Sequence, residues 1–82
     1  MERMINVETL RFAIAEGCLP EGTWSVPVYA RNPREAAEIK RLAESEYLYC
    51  VPRGSLAYYV GTDPALIDPL YWYTIQTAQH TV

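Results

Sequence analysis

Eighty-two residues, half of them hydrophobic, with a formal charge of −3 and a pI near 5.0, describe one domain spanning 1–82, outside the apolar-poor, charge-rich class of disordered chains. Seven Lys/Arg against ten Asp/Glu leave no basic stripe for a phosphate backbone, so direct nucleic-acid binding is not expected. Cys18 and Cys50 stand without a CxxC partner and read as buried reduced thiols, with no metal site and no disulfide framework.

Asn6 is placed to cap a first helix from Val7 to about Glu16, with Gly17 as its stop and Ile5 and Leu10 as a hydrophobic staple. Val7, Leu10, Phe12, Ala13 and Ile14 supply its apolar face. Met1–Asn6 has neither a long apolar run nor a small-residue cleavage site, and nowhere does the chain reach the roughly 18 apolar residues of a membrane span. No membrane partner is expected, and the location expected is cytoplasmic.

Leu19-Pro20-Glu21-Gly22 has the composition of a tight turn. A strand over Thr23–Ala30 follows, with Trp24, Val26, Val28 and Ala30 on one face and Ser25, Pro27 and Tyr29 on the other. Pro27 lacks the donor of a central strand and predicts an edge strand or a bulge. Asn32-Pro33-Arg34-Glu35 opens the second helix, with Asn at the cap, Pro at the first helical position and Glu closing a capping box. That helix should end near Ser45, burying Ala36, Ile39, Leu42 and Ala43 and pairing Arg34 with Glu38 and Lys40 with Glu44 across single turns. Strand, helix, strand is the order of a βαβ unit, so Thr23–Ala30 and the next strand are candidates for parallel neighbours.

Tyr47–Val51, Pro52–Ser55 and Leu56–Val60 read as strand, turn and strand, a hairpin with four of the seven tyrosines and Arg53 as its single charge. Gly54 and Gly61 bracket its second strand as turn residues. Two Asp-Pro pairs, Asp63-Pro64 and Asp68-Pro69, then forbid a long helix and leave room for one helical turn. Leu70–Ala78 is rich in aromatic and β-branched residues and favours a strand, with a helix capped at Asp68 as the alternative.

The sum is an α+β fold, a three- or four-stranded, mostly antiparallel sheet with both helices on one face. Residues 1–46 hold six Lys/Arg and eight Asp/Glu, whereas 47–82 hold only Arg53, Asp63 and Asp68 together with seven of the ten aromatic residues. Two helices cover one sheet face, so part of this uncharged, Tyr-rich half should face a partner, where Tyr and Trp give large contact area. The partner-contact candidates are Tyr47, Tyr49, Arg53, Tyr58, Tyr59, Asp63, Asp68, Tyr71, Trp72 and Tyr73. The one histidine, His80, lies near the C-terminus, and Asp63 and Asp68 are explained by capping, so neither catalysis nor a cofactor is expected.

From Val28 to Tyr59 a short strand leads into Ala30-Arg31-Asn32-Pro33-Arg34-Glu35-Ala36-Ala37-Glu38-Ile39-Lys40-Arg41-Leu42-Ala43 and a hairpin ending Gly54-Ser55-Leu56-Ala57-Tyr58-Tyr59. This pattern resembles small proteins of phages and mobile elements, in particular a type I anti-CRISPR inhibitor. The resemblance implies a compact viral, anti-defence protein that inhibits by occupying the surface of a host protein complex such as a CRISPR effector. It carries no individual functional residue with it. Two other classes compete: a homodimeric structural or regulatory protein, and a small module that holds a nucleotide among the tyrosines.

Overall fold

The computed structural model describes residues 3–67. A two-residue strand β1 (Ile5–Asn6) runs directly into helix α1 (Val7–Ala15), followed by β2 (Ser25–Tyr29), α2 (Pro33–Ser45), β3 (Tyr49–Pro52), β4 (Ala57–Gly61) and a 3-10 turn over Pro64–Ile67. The strand expected over Leu70–Ala78, with a helix as its alternative, lies outside the described residues.

Local chemistry sets the helix starts. The Asn6 side-chain oxygen accepts the Thr9 N–H at 2.8 Å, and Asn32 accepts the Glu35 N–H at 2.9 Å, each satisfying a donor that the first helical turn leaves open. The capping box is not closed as expected. Glu35 turns away from its cap and accepts the Arg31 N–H at 2.9 Å and the Arg31 guanidinium at 2.6 Å, an ion pair plus a main-chain bond in place of the single bond of a capping box. Glu38 likewise pairs with Arg11 of α1, whose Nε lies 2.7 Å away, instead of with Arg34. That pair ties the two helices together.

Both helices also end alike. Cys18 N–H donates to Ala13 and Gly17 N–H to Ile14, while Leu48 N–H donates to Ala43 and Tyr47 N–H to Glu44, the paired 6→1 and 5→2 bonds of a Schellman stop. Such a stop needs a left-handed residue just past the helix. Gly17 takes it at φ 66°, and Tyr47 takes it at φ 56°. Tyr47 is therefore a turn residue and not the first residue of the hairpin strand, which starts at Tyr49.

The sheet order is β1-β2-β4-β3, with β1 parallel to β2, and β4 antiparallel to both β2 and β3. The fold is α+β as read from the sequence, but the sheet is mixed. β2 and β3 do run parallel, as the βαβ order suggested, yet β4 lies between them. Pro27 does not mark an edge: β2 is interior. Ala30 N–H donates to Leu56, so bonded pairs alternate from there and Pro27 falls opposite Tyr59 in an unbonded pair. On its other side the β1 ladder stops at Ile5–Val28, one residue short of where the missing N–H would matter.

One core forms where Val7 and Leu10 of α1 and Ala36, Ile39 and Ala43 of α2 meet Val28, Ala30, Tyr58 and Val60. Both helices thus pack on one face, as two successive right-handed crossovers require. Phe12 is not part of that face and stands 63% exposed. Cys18 is exposed and Cys50 only half-buried, both with free thiols, so neither is the core thiol that the sequence suggested. Gly61 is more than a turn residue: a Cβ there would sit 2.1 Å from the Trp24 carbonyl oxygen and 2.7 Å from Ser25 Cα. Gly54 has open space around it.

Candidate partner-contact surface

Alternation divides the hairpin tyrosines between the two sheet faces. Tyr58 follows Val60 and Cys50 toward the helices and is 6% exposed, with the Lys40 ammonium 5.4 Å from its ring centre. Tyr59 points to the other face yet is only 5% exposed, and the Arg53 guanidinium stands 5.0 Å over its ring. Tyr58 and Tyr59 are thereby corrected from contact candidates to packing residues, since a buried ring offers no surface without unfolding its surroundings. Arg53 is held at the hairpin by stacking on Tyr59 and by a 2.8 Å bond from its N–H to the Ala57 carbonyl, among its contacts. Asp63 is a cap: its carboxylate accepts the Ala65 N–H at 3.0 Å, and its carbonyl accepts the Leu66 N–H at 3.0 Å. Asp68, Tyr71, Trp72 and Tyr73 lie outside the described residues.

Tyr47 and Tyr49 remain, and they lie together at the start of β3. Tyr47 is 95% exposed. Tyr49 is exposed on the face turned away from α1 and α2, opposite Gly61. Tyr29, which sequence reading passed over, is exposed on the same face at the far end of β2; its alternation with the buried Val28 was the signal for it.

Beside these tyrosines β3 forms an outer edge of the sheet among the described residues. Between this edge and α2 lies a concavity of about 380 Å³ lined by Lys40, Ala43, Glu44, Leu48, Cys50 and Tyr58. Lys40 and Glu44, one helical turn apart, both act on the Cys50 thiol, whose pKa is pushed up chiefly by burial, with Lys40 opposing that rise and Glu44 adding to it. A raised pKa keeps the thiol protonated and poorly nucleophilic. Sequence reading named Lys40 and Glu44 only as a surface pair, because the depth beside them depends on where β3 docks. Among the described residues no group of three or more His, Cys, Asp or Glu is placed to hold a metal ion, and no helix is long and apolar enough to cross a membrane.

Comparison with known proteins gives no match: no family model, no curated protein and no solved structure corresponds to this chain.

Proposed function

We propose that this chain is a non-enzymatic protein-binding module that acts by occupying the surface of a larger protein assembly, with the start of β3 as its contact region. The observation that carries the reading is Tyr47. A large aromatic side chain is fully exposed in a backbone conformation that costs a non-glycine residue roughly 1–2 kcal/mol. The same turn after α1 uses glycine. Packing does not account for Tyr47, whereas recognition does, since an exposed tyrosine gives wide contact area with few rotatable bonds. The anti-CRISPR-like class implied by the sequence pattern supplies the kind of target: a host defence complex bound on its surface, inside the host cytoplasm.

The test is capture from extract of a bacterial host with immobilised protein, comparing wild type with Tyr47→Ala and Phe12→Ala. Phe12 is also an exposed aromatic residue, but it projects from α1 and not from the β3 side. The expected result is one multisubunit assembly retained by wild type and Phe12→Ala and lost with Tyr47→Ala. Equal retention by all three, or retention lost only with Phe12→Ala, contradicts the assignment of the contact region.

A further inference from the structure

We propose that the concavity between α2 and β3 is a binding site for a free amino acid with an apolar side chain, held by its charged head group between Lys40 and Glu44. Occupancy there is independent of any contact made at Tyr47. The cavity is walled by α2, by Leu48 and β3, by Tyr58 of β4, and by Ile67 from the 3-10 turn that packs against β3. Its volume of about 380 Å³ falls at the low end of the roughly 300–1,000 Å³ that small-molecule sites span. That is room for one small molecule.

The walls set the ligand class. Tyr58 is 6% exposed, and its hydroxyl makes no hydrogen bond among the described residues. No buried side-chain N or O atom among those residues is left without a partner, so this hydroxyl reaches solvent, and it does so in the cavity that Tyr58 lines. A nearly buried ring thus presents an unused donor and acceptor there. Lys40 and Glu44 stand one helical turn apart, and both line the cavity. They do not pair: the ion pairs among the described residues are Arg11–Glu38, Arg31–Glu8 and Arg31–Glu35. Lysine four places before glutamate is the less favourable order for pairing along a helix, and Lys40 instead stands over the Tyr58 ring, 5.4 Å from its centre. A cation beside a phenol hydroxyl, with an anion one turn on, matches a ligand that carries both signs on one carbon. An α-amino acid has that head group. Its carboxylate accepts from the Lys40 ammonium and the Tyr58 hydroxyl, its ammonium donates to the Glu44 carboxylate, and its side chain lies along Leu48, Val51 and Ile67. Cys50 adds no competing charge, since burial keeps its thiol protonated.

The experiment titrates the isotope-labelled full chain with L-leucine and follows its backbone amide resonances. The expected result is a saturable shift centred on Ala43, Leu48 and Cys50. Isopentylamine, which lacks the carboxylate, and isocaproate, which lacks the ammonium, should each bind about tenfold more weakly, the loss expected when one charge-assisted hydrogen bond is removed. Lys40→Met and Glu44→Gln, at two exposed positions, should lower the affinity for L-leucine to a similar extent. Tyr58→Phe should lower it too while leaving the unfolding midpoint unchanged, because the hydroxyl it removes bonds nothing among the described residues. No saturable shift at millimolar L-leucine, equal binding of L-leucine and its two analogues, or cross-peaks from Ala43 and Cys50 to Leu70–Ala78 in place of ligand overturns the proposal. A Tyr58→Phe variant that binds L-leucine as wild type does overturns the placement of the carboxylate.

Discussion

Tyr47 and Gly17 occupy equivalent places in two helix stops, and the difference between them separates folding from function at the scale of one residue. Glycine reaches the left-handed region without steric cost, so Gly17→Ala should lower stability by about 1 kcal/mol, read as a drop in the midpoint of thermal unfolding. Gly61 constrains the chain differently. Its backbone is in ordinary extended conformation, but a methyl group at 61 collides with the main chain at Trp24 and Ser25, which has no rotamer with which to yield. Gly61→Ala should cost about 2–3 kcal/mol in urea unfolding, the upper range for overpacking a tight site. An unchanged midpoint would mean that β2 and β4 separate more easily there than their register implies.

At the scale of the elements, α2 carries most of the organisation. Its start is fixed by Asn32 and Pro33, its first turn is linked to the preceding loop by Arg31–Glu35, its middle is linked to α1 by Glu38–Arg11, and its apolar stripe of Ala36, Ile39 and Ala43 supplies the core. The hydrogen bond from Arg31 holds the Glu35 carboxyl below its ordinary pKa. A depressed carboxylate stabilises the fold above its unfolded pKa and loses that contribution as pH falls through the lower folded value. Glu35→Gln should therefore reduce stability at neutral pH and flatten the decline of the unfolding midpoint below about pH 4.5, the ordinary carboxylate range. A variant with the same acid profile as wild type would show that the pair contributes nothing on folding, the usual outcome for exposed ion pairs. Both helices and the hairpin were legible in the sequence because each has its own punctuation, Asn6 and Gly17, Asn32-Pro33, and Pro52 to Gly54. β1 was not, since two residues carry no period and Asn6 serves strand and cap at once. Nor was the Glu35 arrangement: a capping-box pattern cannot show that an arginine one place upstream of the cap competes for the same carboxylate.

For the whole molecule, the sheet face that α1 and α2 cover follows from apolar spacing, but strand order does not. Inserting β4 between β2 and β3 is a matter of which edge the hairpin returns along, and Pro27 misled by suggesting that β2 lay outside. Tyr58 and Tyr59 lie on opposite faces of the sheet and both are buried, while Tyr47 and Tyr49 are exposed, so half of the hairpin tyrosines are taken up by packing. Among the described residues the exposed aromatic side chains are Phe12 on α1, Tyr29 on β2, and Tyr47 and Tyr49 at the β3 side. In the proposed contact role, Tyr47 is kept at some expense to the fold. The direct measurement is Tyr47→Gly, with urea unfolding and retention of the host assembly read on the same preparation. Opposite signs are expected: stability up by about 1 kcal/mol, as release from a left-handed conformation gives, and retention lost. Lower stability with retention unchanged would place Tyr47 among the residues that build the fold and contradict the claim.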